Sequence, residues 1–192
     1  NDIDRLPLLE AVERMEQIFQ GPLNPEKEIE LGLFKLRIPQ FPLEGVREAV
    51  LNALTHRDYQ HPGEILVRHS SQELVVTSPG GFVDGITPEN ILRHEAVPRN
   101  RTLANALVKL RLVESSGIGR KRIFRSALIY GKRRPEYTTD GHSVTLRIFN
   151  QGAHEALASL IARLDAQGAD IGLDQLLVLD ALRGQDFIDV AQ

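Results

Sequence analysis

The chain has 192 residues, no cysteine, 42% hydrophobic residues and a formal net charge of −3. At roughly 100–200 residues per domain this is one domain with an appendage, and the apolar fraction excludes wholesale disorder. The lack of Cys excludes disulfides, thiolate nucleophiles and zinc–thiolate sites. No apolar run approaches the ~18 residues of a membrane helix, and no signal-peptide pattern stands at the front, a combination that suits a cytoplasmic protein. The chain begins at Asn1 rather than Met, as a fragment or processed product would.

Leu8, Val12, Met15 and Phe19 recur at helical spacing and predict an amphipathic helix over 6–19. Gly21-Pro22-Leu23-Asn24-Pro25 is a loop. Ile29, Leu31, Leu33, Leu36 and Ile38 alternate loosely and predict one strand over 28–38, bent at Gly32. Pro42 suits the first position of a helix that runs to about His56. After the turn His61-Pro62-Gly63, strands over 64–70 and 72–78 form a hairpin, ended by Pro79-Gly80-Gly81. Positions 84–98 are loop with a short helix after Thr87-Pro88-Glu89. A helix over 101–112 presents Leu103, Leu107 and Leu110 on one face. Ser115-Ser116-Gly117-Ile118-Gly119 is a tight loop before a basic helix over 120–129. A second hairpin, 136–139 with 143–149, turns at Asp140-Gly141. Helices over 154–167 and 173–183 close the chain. The segment from Asp186 to Ala191 reads as the start of another, either opening a winged-helix unit or leaving a helical pair as a cap.

The net charge hides an asymmetry. Between Arg93 and Arg134 twelve basic residues face only Glu95 and Glu114, a net +10, and the rest of the chain carries −13. A basic block in an acidic chain points to phosphates, of a nucleotide or a nucleic acid; a solvated face paired with the acidic flanks is the competing reading.

On the helix over 42–56, Leu43, Val46, Val50 and Leu54 fall on one side, with Glu44, Glu48, Asn52 and Thr55 in a narrow arc on the other. Glu48 and Asn52 stack one turn apart. A carboxylate can take a proton from water, and an amide oxygen suits a hard cation such as Mg²⁺. Two solvated polar groups would give the same pattern. Thr77-Ser78-Pro79-Gly80-Gly81 follows a strand, and Gly117-Ile118-Gly119 precedes Arg120-Lys121-Arg122. Glycines let backbone amides approach a phosphate, and an anion would relieve the conflict between those cations and the helix dipole. Ordinary turns are the alternative. His56-Arg57-Asp58 is not a kinase catalytic loop, since Gly63 stands where its Asn is needed. The Arg57–Asp58 pair reads as a support of the turn. The other histidines lack metal-ligand spacing.

The order helix with E-x-x-x-N, hairpin, glycine loop, helical segment, G-x-G, helix and hairpin resembles the Bergerat-type ATPase fold of gyrase and the histidine kinases. Glu48 to Tyr59, Ser78-Pro79-Gly80-Gly81, Arg99 to Ala104 and Glu114 to Arg120 are similar to a divergent branch, the C-terminal domain of RecG-related helicases and transcriptional regulators. There the domain follows a Schlafen-type AlbA domain and precedes a winged helix. The resemblance implies an α+β two-layer sandwich, with a mixed, mostly antiparallel sheet, helices on one face and C-terminal helices. Its implied divisions are an N-terminal helix and linker (1–24), a Bergerat-like domain (25–152) and a helical segment (153–192).

The resemblance implies ATP and Mg²⁺ as cofactors, Glu48 as the carboxylate that activates water and Asn52 as the Mg²⁺ ligand. Ser78 stands where the superfamily has the Asp that reads adenine. Gly80 matches the first loop glycine beside Gly81, Phe82 replaces the second, and Gly117 and Gly119 match a shortened phosphate-side box. Arg99, Arg101 and Arg120 are candidate phosphate contacts. The expectation is a nucleotide-binding regulatory domain of a DNA-associated transcriptional protein, with slow Mg-dependent ATP hydrolysis. The alternative is a nucleotide-free interaction or homodimerisation module that supports DNA binding through adjoining domains. No G-x-x-x-x-G-K-[ST] loop occurs, so this chain holds no helicase motor.

Overall fold

The computed structural model describes residues 7–31, 34–83, 85–114, 117–150 and 154–183. It is an α+β structure with six helices and two antiparallel sheets among the described residues. Helix α1 (Leu8–Gln20) leads into a hairpin of β1 (Glu26–Leu31) and β2 (Phe34–Pro39). The hairpin replaces the single strand expected over 28–38. Its register runs from Glu26↔Pro39 to Leu31↔Phe34. The apolar alternation changes phase between Leu33 and Leu36, from odd to even positions, and that break marks the reversal. The expected bend at Gly32 lies outside the described residues, as does the expected helix start at Asp186 to Ala191.

The second sheet holds β3 (Leu66–His69), β4 (Glu73–Pro79), β5 (Glu136–Thr139) and β6 (Ser143–Phe149), in the order β3-β4-β6-β5. Two local hairpins are therefore joined through the long-range pair β4–β6. Leu74 lies opposite Ile148, and Val76 opposite Leu146, in that pair. All four are buried against Val46, Ala49 and Ala53 of α2 (Leu43–His56) and Ile123 and Phe124 of α4 (Ile118–Leu128). Period-two alternation aims these strand residues at one face, and the two helices cover it.

Helix α2 is buried on several sides. Val50 and Leu51 meet Val12 of α1, and α4 packs along it at Gly45, where a Cβ would overlap the Ser126 hydroxyl. This small-residue seam lets the two backbones come close. Between the strand pairs, α3 (Arg101–Lys109) is shorter than the expected helix over 101–112, and 87–94 form turns rather than a short helix. Helices α5 (Glu155–Ala166) and α6 (Leu173–Arg183) build a satellite core of Leu128, Ile161 and Leu176 against α4. Among the described residues no helix is long and apolar enough to cross a membrane.

Leu74 is fully buried at the centre of the sheet–helix contact. Leu74→Ala should destabilise the fold by about 2–5 kcal/mol in urea titration, because the layers cannot collapse into the space.

Candidate functional site

The apolar stack Leu74–Ile148, Val76–Leu146 continues along the same face to the pair Ser78–Val144. There the helices no longer fill the space, and a cavity of about 100 Å³ opens between α2 and the sheet. Asn52, Ala53 and His56 line it from α2, and Ser78, Val76, Val144 and Leu146 from the sheet. Gly80, Gly81, Phe82, Val83, Ile86 and Ile91 close it from the long loop, and Arg120 and Tyr137 from α4 and β5. The volume is below the ~300–1,000 Å³ of drug-sized sites and on the scale of the ~150 Å³ cavity that accepts a benzene-sized ring.

Its polar groups are few. The Ser78 hydroxyl donates to the Ala53 carbonyl at 3.0 Å and keeps its lone pairs as acceptors. The Asn52 Nδ2 is buried without a hydrogen-bond partner among the described residues, as is the Nε of Arg120. Arg120 donates from Nη2 to the His94 carbonyl, which fastens the loop to α4. Burial, with Arg99 and Arg120 nearby, pushes His56 down to about 4, so the imidazole facing the cavity is neutral near pH 7.

One turn before Asn52, Glu48 is 3% exposed. Burial raises its carboxyl above the usual range, and the Arg122 hydrogen bond and charge oppose that shift without cancelling it. Arg122 donates from Nη1 to Glu48 Oε1 at 3.3 Å, and it also pairs with Glu114 and, at 3.6 Å, with Glu44. The other oxygen, Oε2, lies against Gly119 so closely that a Cβ there would overlap it, and Asn52 Nδ2 would be 3.6 Å from the same Cβ. Gly119 therefore sits inside the first turn of α4 and clears space for the Glu48–Asn52 pair. Gly117 is the left-handed N-cap at φ 66° and packs on Ala96. The conflict of Arg120-Lys121-Arg122 with the α4 dipole is thus met from within the chain by the Glu48 carboxylate.

The glycine loop after β4 is held from behind. Arg99 donates to the Gly81 carbonyl and, at 3.4 Å, to Asp58. A Cβ on Gly80, whose φ is +96°, would stand 2.6 Å from Asp58 Cβ. The Asp58 amide donates to the Pro79 carbonyl at 2.8 Å. Asp58 thus ties the end of α2 to the loop through Arg99. Arg57 instead donates to Gly63 and lies over the Tyr59 ring.

Of the residues expected at the site, Asn52, Ser78, Gly80, Gly81 and Arg120 line the cavity. Glu48 and Gly119 stand directly behind Asn52. Arg99 latches the loop, Gly117 caps α4, and Arg101 is exposed at the start of α3, in a shallow groove with Tyr59. Sequence reasoning missed His56, although it continues the stripe Glu48, Asn52 at the same four-residue interval. It also missed Tyr137, Ile91 and Arg122, which reach the site through tertiary contact. Among the described residues no group of three or more His, Asp or Glu side chains could hold a metal. A cation here would rest on the Asn52 amide oxygen and on ligand oxygens, which suits Mg²⁺ bound through phosphates.

Residues 63–148 match the family model described as "Putative ATP-dependent DNA helicase recG C-terminal". That segment is therefore similar to a RecG-related, ATPase-like domain. The match opens after α2, so Glu48 and Asn52 join the RecG-related segment through the packing of α2 on α4 and the sheet. The crystal structure of the DIP2311 protein from Corynebacterium diphtheriae is similar, with a TM-score of 0.80 and 30% identity over 94% of this chain. The chain spans 37% of that protein's chain. No curated protein matches.

Gly119→Ala should cost about 1–3 kcal/mol by urea titration, and much of that cost should vanish in a Glu48→Ala background, as a double-mutant cycle would record. His56 binds its proton less readily folded than unfolded, so its contribution is complete above pH 6.5 and is lost as pH falls toward about 4. His56→Asn should flatten that part of the pH–stability curve, by the order of 1–3 kcal/mol between its ends.

Proposed function

We propose that this chain is a nucleotide-binding regulatory domain that takes Mg-ATP, within a DNA-associated transcriptional protein of the cytoplasm. The observation that carries this reading is the cavity at the end of the sheet–helix core, with Asn52 on its wall, its Nδ2 without a partner among the described residues, and a buried Glu48 behind it. The RecG-related, ATPase-like family supports it. An adenine ring matches the apolar walls, and Ser78 supplies acceptor lone pairs for its amino group in place of a carboxylate. Arg120 and the first turn of α4 would face the phosphates, and Asn52 would hold the Mg²⁺, which screens phosphate charge when bound. Glu48, kept beside Arg122, would accept a proton from the attacking water.

A second reading has its own observations. Glu48 is already engaged by Arg122, the Ser78 hydroxyl donates to Ala53, and the cavity is small. These favour a nucleotide-free module that retains the fold for interaction or homodimerisation.

Thermal melting separates the two. Mg-ATP at 100 times its dissociation constant should add about 2.7 kcal/mol of stability. Asn52→Ala should remove most of the Mg-dependent part of that shift. Glu48→Gln should keep it while abolishing phosphate release. No shift at millimolar Mg-ATP would establish the nucleotide-free reading instead.

A further inference from the structure

The fold treats the twelve cations of the positive segment unequally. Arg99 is held by Asp58 and Gly81, Arg120 by the His94 carbonyl and Arg122 by three carboxylates. Lys132 is buried with its ammonium on Asn150, and Arg133 pairs with Glu136 across the Phe149 ring. Arg99, Arg122 and Lys132 are thereby committed within the fold, Arg120 faces the cavity, and Arg133 keeps half of its side chain exposed.

Arg93, Lys121 and Arg134 differ. They are exposed, enter no ion pair among the described residues, and line one groove. It encloses about 1080 Å³ between the turns at 88–93, α4, the start of β5 and the start of α6. That is at the upper limit of the ~300–1,000 Å³ typical of small-molecule sites and suits a length of polymer. Leu92, Phe124, Pro135 and Leu177 supply apolar lining.

The groove also carries three carboxylates, of which one is neutralised by a cation outside its lining. Glu136 is engaged by Arg133, and Glu89 accepts from the Thr87 hydroxyl. Asp174 lies in the first turn of α6, where the helix dipole favours a negative charge. None of the three cations forms an ion pair among the described residues, and with Glu136 paired to Arg133 the lining sets three cations against two unpaired carboxylates. The groove is also separate from the nucleotide cavity, with Ile91 and Tyr137 lining both and forming the wall between them.

We propose that this groove binds single-stranded nucleic acid, with phosphates against Arg93, Lys121 and Arg134 and bases over the apolar lining. A strand offers repeated anions and flat apolar faces together, which is the combination the groove presents in complement. A duplex keeps its bases stacked inside and would offer a concave groove only its phosphate ridge. The inference rests on the groove's charge and shape and does not require nucleotide in the cavity.

The test is fluorescence anisotropy of a short labelled oligothymidylate with the whole chain at several salt concentrations. Binding should weaken with salt at a log–log slope of about −0.7 per phosphate contact, and so about −2 for three contacts. Arg93→Glu/Lys121→Glu/Arg134→Glu should weaken it by at least about tenfold. Reversal of three exposed cations outside the groove, Arg14→Glu/Arg68→Glu/Lys109→Glu, should leave it within about twofold. No binding at low salt, or equal losses in the two triple variants, would overturn the proposal. Oligoglutamate that displaces the strand at equal charge concentration would overturn it in favour of an acidic-peptide site. The Mg-ATP melting shift of the groove variant, compared with wild type, keeps this result apart from the fate of the nucleotide reading.

Discussion

A carboxylate taken out of water between two helices must be neutralised where it stands, because an unpaired buried charge costs several kcal/mol. Glu48 is in that position, and Arg122 answers it from α4. The contact fixes how α2 and α4 lie against each other. Gly119 must be small for Oε2 to fit, and Gly45 must be small for α4 to approach at the other end of the seam. Arg122 in turn is drawn to Glu114 and Glu44, so the loop before α4 and the first turn of α2 are gathered to the same guanidinium. The basic start of α4, unfavourable for an isolated helix, is tolerated because a carboxylate lies at its end.

The cavity is a consequence of this arrangement. Once α4 is seated, the sheet presents three aligned pairs to the helices, and only the first two meet large side chains. Ser78 and Val144 face space instead. Asn52 and His56 extend the Glu48 stripe of α2 into that space, and the glycine loop, latched by Arg99 and Asp58, roofs it. Structural support and candidate chemistry therefore share the same few residues. Glu48 stabilises the helix seam and stands directly behind Asn52 on the cavity wall.

Helix α4 presents another side to the groove. Arg120 and Arg122 point into the molecule, whereas Lys121 lines the groove with α6 and β5. Three consecutive basic residues thus serve three environments, because a helix advances by about 100° per residue. Net charge over the segment describes none of this. Its meaning depends on which cations already have partners.

Much of the fold was legible from local pattern. The β5–β6 hairpin and α6 were found at their observed limits, because Asp140-Gly141 marks the turn and the apolar spacing of α6 is uninterrupted. The β1–β2 hairpin departs from the single strand expected there, although the phase change between Leu33 and Leu36 can be counted in the sequence. At the site, the pairing of Glu48 with Asn52, the Ser78 loop and Arg120 were visible, since helical spacing and glycine punctuation are local. The burial of Glu48 and Thr55 was not, because a polar arc reads as a wet face unless the helix that covers it is known. The sequence by itself determined most of the elements, the stripe on α2 and the excess of positive charge. Only the tertiary structure decided that Arg122 meets Glu48, that Arg99 is a latch and that Arg93, Lys121 and Arg134 share a groove. Those outcomes depend on contacts between residues far apart in the chain, and local periodicity holds no information about which distant side chain will occupy a given space.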